Sequence, residues 1–164
     1  MTEIVEIERA ARDFDHHAEM LRRQILDRLI ADQLDDFSKE QVQQLAKHRF
    51  SHSEMRLLSY VKAAGSEAAY QRLTKDLDIS QGMISRYVKR LAELGLLERY
   101  HKENDKKAVY LRLTSTGCIV ADMHKQMHEK ENEHYAAILA ELPAEHIANA
   151  LEVLKKLTLS TTIG

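Results

Sequence analysis

Cysteine, proline and glycine are scarce in this chain of 164 residues. It contains one cysteine (Cys118), one proline, five glycines and no tryptophan. A single cysteine excludes an internal disulfide, so the expected compartment is the reducing cytoplasm. Glycine and proline are the residues that interrupt helices most strongly, and their scarcity favours a mainly helical protein.

Long apolar stretches are missing as well. The sequence has no run of about 18 consecutive apolar residues, the length expected of a membrane-spanning helix. Its first residues include Glu3 and Glu6, whereas a secretory signal peptide begins with basic residues and continues with apolar ones. The length fits a single domain. We therefore expect one compact cytoplasmic domain without a membrane partner.

The charge is distributed unevenly along the chain. The net charge is −2, yet residues 51–113 hold 12 Lys/Arg against 8 Asp/Glu, a balance of +4. Residues 1–50 and residues 114–164 each have a balance of −3. A basic middle segment between two acidic ones is typical of a small DNA-binding module inside a larger scaffold. The alternative is chance variation in a highly charged protein.

The segment from Ser80 to Leu94 predicts a helix with two chemically different faces. Apolar residues recur every three or four positions, at Ile84, Val88, Leu91 and Leu94. The opposite face carries small, polar or cationic residues, namely Gln81, Gly82, Ser85, Arg86 and Lys89. Such a face suits a helix that lies in a DNA groove. An ordinary solvated surface helix would be the alternative.

The residues before this helix predict two shorter helices in helix-turn-helix order. Ser51 and Glu54 have the spacing of a capping box, which marks the start of a helix. A short helix over Tyr70–Asp76 follows, and a tight turn at Asp78 leads into the two-faced helix. Two helices joined by such a turn form the helix-turn-helix motif.

The residues after this helix predict two strands. Beyond Gly95 the apolar period changes to two, over Leu96–Tyr100 and again over Val109–Leu113. The intervening segment His101–Ala108 is polar and predicts a loop. A helix-turn-helix followed by such a hairpin is a winged helix, whose wing contacts phosphates or the neighbouring minor groove.

Both ends of the chain predict amphipathic helices outside this basic module. The N-terminal stripe persists for more than three heptads, at Ile4, Ile7, Ala11, Phe14, Ala18, Leu21, Ile25 and Leu29. A short helix over Lys39–Lys47 follows, with Ser38 as its N-cap. Two more helices are expected after Thr114 and after Pro143. Long apolar stripes of this kind require another helix to pack against.

In these features the chain resembles the MarR family of transcriptional regulators. The resemblance is carried by Asp78-Ile79-Ser80 through Leu91, the Gly95-Leu96-Leu97-Glu98-Arg99 exit, the wing, and Leu113-Thr114-Ser115-Thr116-Gly117. It implies a mainly α fold in which a winged helix-turn-helix over residues 51–113 is flanked by dimerisation helices in residues 1–50 and 114–164. It also implies a homodimeric repressor on a pseudo-palindromic double-stranded operator, released by a small ligand, a metal or an oxidant.

DNA contacts are expected from the helix and from the wing. Arg86 and Ser85 would face the groove, while Lys89 and Arg90 would grip phosphates. Lys102, Lys106 and Lys107 are the expected phosphate contacts of the wing, although cationic hairpin tips are often merely solvated. The Asp105-Lys106-Lys107 stretch replaces the Asp-x-Arg element usual in the family, so the planar arginine fork is missing from the wing.

The sequence leaves two classes of effector open, a metal ion and an organic ligand. His124 and His128 are four residues apart and can hold one zinc ion from the same helix face. His16, His17, Glu19 and His48 are candidates for completing such a site. Exposed or interface histidines are the alternative, and an acyl or phenolic ligand fits an apolar pocket equally well. Cys118 is expected to be a packed, inert thiol.

Two other functions compete with DNA binding. A winged helix can serve as a protein-interaction module, but this requires an exposed apolar patch on the face that bears Gln81 and Lys89. A hydrolase built on the histidines would need a nucleophile elbow, a phosphate-binding glycine loop or a paired metal motif. The sequence contains none of these, and we expect no enzymatic activity.

Overall fold

The structure is a computed structural model that describes residues 2–33, 35 and 37–159. The described residues form a mainly helical fold with a small three-stranded sheet. In chain order its elements are α1 (Thr2–Asp32), α2 (Lys39–Lys47), α3 (His52–Ala63), β1 (Glu67–Ala69), α4 (Tyr70–Leu77), α5 (Gln81–Glu93), β2 (Leu97–Lys102), β3 (Asp105–Leu113), α6 (Ser115–Ala140) and α7 (Ala144–Leu159). The chain divides into two compact units, residues 1–128 and residues 129–164. No helix within the described residues combines the length and apolar character that crossing a membrane requires.

Local capping sets the starts of the helices before the turn. In α3 the Ser51 hydroxyl accepts a hydrogen bond from the Glu54 amide, and the Glu54 carboxylate accepts one from the Ser51 amide. Ser38 and Gln41 form the same reciprocal pair at the start of α2. These boxes satisfy backbone donors that the first helical turn leaves free. Both predicted helix starts are confirmed.

The core of the first unit lies where α3, α4, α5 and α6 meet the sheet. Its most deeply buried apolar side chains include Leu57, Leu58, Val61, Leu73, Ile84, Val88, Leu91, Leu96, Leu111, Val120 and Met123. The turn between α4 and α5 passes through Asp78, which has a left-handed backbone (φ 52°). This core holds α5 by one face and leaves the other face at the surface.

The sheet has the order β1-β3-β2 and all its pairs are antiparallel. The short strand β1 was not predicted, because Glu67-Ala68-Ala69 has little intrinsic strand preference. It forms by pairing with β3, with Glu67 opposite Arg112, and the Leu113 amide donates to the Ser66 carbonyl at 2.9 Å. Tertiary pairing, rather than local propensity, makes this segment a strand.

The prediction of a loop over His101–Ala108 was wrong for most of this segment. β2 continues to Lys102 and β3 begins at Asp105, so a turn at Glu103 and Asn104 joins the two strands. The Asp105 carboxylate accepts hydrogen bonds from the amides of Lys107 (3.2 Å) and Ala108 (3.0 Å). This local bonding supports the turn, and the wing is therefore a longer and tighter hairpin than the polar composition indicated.

Candidate nucleic-acid interface and histidine cluster

Helix α5 presents one continuous polar face to solvent. The exposed residues include those predicted for the groove and the next cation, namely Gln81, Gly82, Ser85, Arg86, Lys89 and Arg90, and the acidic Glu93 at the end of the helix is exposed as well. On the other side Ile84, Val88 and Leu91 are fully buried, as is most of Tyr87, whose burial was not predicted. Ser80 caps the helix by accepting from the Met83 amide at 3.4 Å. The apolar face thus fixes the helix, and the polar face is free of large apolar side chains.

Arg90 differs from the other residues of this face. Its Nε atom lies 3.4 Å from Oε1 of Glu54, a carboxylate on α3 that is fully buried. The Arg90 side chain is still 43 % exposed. One edge of the guanidinium therefore faces the protein, while part of the group stays open to solvent.

The wing lysines fall into two classes. Lys106 and Lys107 are exposed on β3 beside the turn. Lys102 instead forms an ion pair with Glu67 at 2.8 Å, and its ammonium lies 4.3 Å from the centre of the Tyr110 ring. The hydrogen bond to Glu67 raises the pKa of Lys102. Lys102 has an intramolecular partner on the sheet, and the structure leaves Lys106 and Lys107 as the more accessible cations.

Three histidines converge inside the first unit. His52, His124 and His128 each offer a ring nitrogen, and these three nitrogens all lie within 4.8 Å of one another. The Nε2 atoms of His124 and His128 are 3.0 Å apart, and the ring centre of His52 lies 5.5 Å from that of His124. The predicted pair on α6 is therefore joined by a third histidine from the start of α3.

His124 is the most buried member of this cluster. It is 8 % exposed, and its Nδ1 atom lies 2.6 Å from the Ser59 hydroxyl. Burial, reinforced by the neighbouring His128 and His52, lowers the pKa of His124 to about 4. The ring is neutral at pH 7, and Ser59 engages Nδ1 while Nε2 points towards His128.

The residues suggested to complete a metal site lie elsewhere. The His48 ring is 3.4 Å from the Glu54 carboxylate, and Glu19 forms an ion pair with Arg23 at 2.6 Å. His16 and His17 are exposed on α1. None of these four belongs to the three-histidine group found among the described residues. His52 was missed because only the packing of α3 near α6 brings it to the pair.

Comparison with known proteins identifies the winged-helix segment. Residues 50–117 match the family model described as a winged helix DNA-binding domain. The chain is 24 % identical to the uncharacterised HTH-type transcriptional regulator YhjH of Bacillus subtilis, over 88 % of this chain and 83 % of that protein. It is 26 % identical to the multiple antibiotic resistance protein MarR of Salmonella typhimurium, over 64 % of this chain and 71 % of that protein.

The chain is similar to winged-helix regulators of the MarR family. The matched domain and these relatives indicate that the chain has a DNA-binding role in transcriptional regulation. Its fold is similar to that of E. coli MarR complexed with operator DNA, with a TM-score of 0.53 at 20 % identity over 94 % of this chain and 95 % of that one. Lactococcus lactis ZitR, described as a zinc-responsive MarR family member, has a TM-score of 0.54 at 23 % identity, over 68 % and 78 %.

A cavity in the first unit adjoins the histidine cluster. It measures about 450 Å³, and His52, Phe50, Met55 and Met127 are among the residues that line it. Charged side chains of both signs line it as well, namely Arg22, Arg23, Arg49, Asp15 and Glu19. Its volume is in the range of small-ligand sites. Cys118, by contrast, is partly buried with its Sγ 3.5 Å from the Ser66 hydroxyl.

Proposed function

We propose that this chain is a MarR-family regulator, namely a homodimeric repressor that binds a pseudo-palindromic operator and leaves it when an effector binds. The DNA binding in this proposal is supported by the surface of α5. Six neighbouring small, polar or cationic residues are exposed on a helix whose opposite face is buried in the core. A rigid helix with such a face can place side chains against base edges in a major groove.

Within this face the roles are assigned by chemistry and position. Arg86 would read base edges, because a guanidinium can donate two parallel hydrogen bonds to guanine. Gln81 and Ser85 add polar contacts, and Gly82 leaves room for close approach. Lys89 and Arg90 in the second half of the helix, with Lys106 and Lys107 on the wing, would grip phosphates and set the position on the duplex.

A protein-interaction role is less well supported by the same surface. The large apolar side chains that are exposed among the described residues lie on α1, on α7 and near the end of α6, at positions such as Phe14, Ile138 and Leu154. None of them lies on α5. A surface of Gly, Ser, Arg and Lys lacks the apolar patch that such an interface would need.

The exposed apolar residues support dimerisation through the terminal helices. Ile4, Ile7 and Phe14 on α1 are exposed, and no residue of α7 is buried although Leu151 and Leu157 are apolar. A second copy of the chain would remove these stripes from water. Two copies would present two α5 helices to half-sites about 34–36 Å apart.

The test compares two charge-removing variants on one duplex. The duplex is recovered from a random-sequence pool by the wild-type protein, and its affinity is measured by fluorescence anisotropy. Arg86→Ala should weaken binding by about 1–3 kcal/mol, roughly 5- to 150-fold, and relax the preference at one base pair of each half-site. Lys47→Ala, which removes an exposed cation from α2 outside the winged helix, is the matched control and should bind like the wild type. Equal affinities for wild type and Arg86→Ala would refute the assignment.

A zinc response is a second candidate function, supported by the histidine cluster. Zinc binds imidazole nitrogen at about 2.0–2.1 Å, so two nitrogens of a tetrahedral site lie about 3.3 Å apart. The Nε2 atoms of His124 and His128 are 3.0 Å apart, so a small movement of the rings would give this spacing. His124 is neutral, as a ligand must be, and Ser59 orients its ring through the other nitrogen. His52 would be the third protein ligand, and water or a carboxylate would complete the coordination.

Metal analysis tests this candidate. Wild-type protein dialysed against zinc should retain one zinc per chain, and His124→Ala should retain none. His134→Ala, which changes an exposed histidine on the same helix, should behave like the wild type. Absence of stoichiometric zinc in the wild type, with DNA affinity unaffected by zinc, would eliminate zinc as the effector and leave an organic ligand in the adjoining cavity.

A further inference from the structure

Glu54 is a fully buried carboxylate at the junction between α3 and α5, the helix proposed above to lie in the DNA groove and called the recognition helix below. Its Oε2 atom accepts a hydrogen bond from the Ser51 amide at 2.8 Å. The His48 ring lies 3.4 Å away, and Oε1 faces the Nε atom of Arg90 at 3.4 Å. One side chain thus contacts the N-cap of α3, the C-cap of α2 and helix α5.

The two carboxylate oxygens are held in different ways. Oε2 has a short hydrogen bond, whereas Oε1 makes no hydrogen bond within the described part of the chain. Oε1 has only the nearby charge of Arg90 and the His48 ring to compensate it. A buried carboxylate is strongly destabilising unless an opposite charge stays close. The position of Arg90 is therefore linked to the position of Glu54.

The other end of this link is next to the histidine cluster. His52 immediately follows Ser51, the N-cap that Glu54 holds. Its ring lies 5.5 Å and 5.6 Å from the rings of His124 and His128. A ligand that draws His52 towards α6 acts on the first turn of α3, in which Glu54 is the third residue.

We propose that Glu54 is a positioning residue that holds Arg90 for phosphate contact and transmits zinc binding at His52, His124 and His128 to the recognition helix. Of these two residues only Arg90 would touch DNA, and Glu54 acts through Arg90. The proposal rests on the proposed function, including its zinc response. It adds the path by which the cluster changes DNA affinity.

The variant Glu54→Gln separates the charge of this side chain from its capping role. Gln41 occupies the same capping-box position in α2, and its side-chain oxygen accepts from the Ser38 amide at 3.1 Å. A glutamine at position 54 can therefore keep the cap of α3 while losing the charge that faces Arg90. Glu98→Gln is the matched control, because it removes an exposed carboxylate paired with Arg112 at 3.0 Å on the wing sheet.

The experiment measures affinity for the selected duplex, with chelator and with zinc, in wild type, Glu54→Gln, Arg90→Ala, the double variant and Glu98→Gln. Wild type and Glu98→Gln should change affinity by about 5-fold or more on adding zinc. Glu54→Gln should still bind one zinc but lose most of this change. Without metal, Glu54→Gln should bind the duplex more weakly than the wild type. The slope of its log affinity against log salt concentration should be smaller in magnitude by up to about 1. The double variant should bind the duplex no more weakly than Arg90→Ala does.

Each other result overturns the proposal. Full additivity of the two substitutions would mean that Glu54 does not act through Arg90. An undiminished zinc response in Glu54→Gln would refute the coupling while leaving the proposed function intact. Wild-type DNA affinity that ignores zinc would refute the coupling together with the zinc response, and failure to recover any duplex would refute operator binding itself. If Glu54→Gln does not fold, the zinc response of Arg90→Ala decides, because the His48 ring, which lies 3.4 Å from the Glu54 carboxylate, is kept in that variant. This response should be lost, and a response like that of the wild type would refute the coupling.

Discussion

Replacing Gly117 by alanine should destabilise the winged helix, although alanine is the better helix former. Gly117 lies in the first turn of α6, where a Cβ atom would stand 1.8 Å from the Leu96 carbonyl oxygen and 2.8 Å from its carbonyl carbon. Ordinary contacts between such atoms need more than 3 Å. The start of α6 and the α5–β2 connection would have to separate by more than 1 Å.

The expected loss can be worked from the contacts around this point. The Leu96 carbonyl accepts from the Thr114 amide at 3.1 Å, and the Gly117 amide donates to the Thr114 hydroxyl at 3.0 Å. Overpacking costs about 1–3 kcal/mol, and a weakened hydrogen bond about 1 kcal/mol. The gain in helix propensity offsets about 1 kcal/mol. Gly117→Ala should therefore lower the free energy of unfolding by about 2 kcal/mol.

Urea unfolding followed by circular dichroism checks this value, at one fixed protein concentration because a dimer unfolds with a concentration-dependent midpoint. Gly82→Ala is the matched control, since a Cβ at Gly82 would meet nothing within 4 Å. It should stabilise the protein by about 0.5–1 kcal/mol and weaken DNA binding, because it adds a methyl group to the proposed groove face. Equal or greater stability of Gly117→Ala relative to Gly82→Ala would refute the steric reasoning.

Three further results are expected. Lys107→Ala should reduce the salt dependence of DNA affinity by about one counterion, whereas Lys102→Ala should leave it unchanged because Glu67 already pairs that cation; equal slopes in the two variants would contradict this division of the wing. In the presence of chelator, the stability contributed by neutral His124 should be complete above about pH 6.5 and decline as the pH falls towards 4, because the unfolded chain takes up the proton first; urea midpoints of His124→Gln should lose this component. Ser59→Ala should weaken zinc binding by about 10- to 100-fold, measured by competition with a chromogenic chelator, and an unchanged affinity would mean that Ser59 does not orient His124.

Much of the winged helix was predictable because its signals are local. The two faces of α5 follow from a period of 3.6 residues, which needs no distant partner to be visible. The capping boxes at Ser38 and Ser51 join residues three positions apart. The residues proposed to contact DNA could therefore be placed on one polar helix face from the order of the amino acids alone, and their contacts with DNA stay predictions.

Several features that were missed depend on pairing across long stretches of chain. β1 is a strand because β3 lies beside it, with Glu67 opposite Arg112, 45 positions later. The wing was misplaced for a local reason instead, since Lys102 pairs with Asp105 across the turn and extends both strands into the predicted loop. Lys102 bonds to Glu67, 35 positions earlier, a contact that composition does not reveal. Such contacts are set by the packing of the whole winged helix.

The sequence by itself determined the helical elements, the basic winged-helix segment and the polar face of α5, since helix periodicity and capping are properties of neighbouring residues. The tertiary structure decided that His52 joins His124 and His128, and that buried Glu54 faces Arg90. His52 and His128 are 76 positions apart in the chain, and Glu54 and Arg90 are 36 apart. Only the close packing of α3 against its neighbours in the core brings these groups within a few ångströms, and that packing places the histidine cluster and Arg90 of α5 near the same first turn of α3.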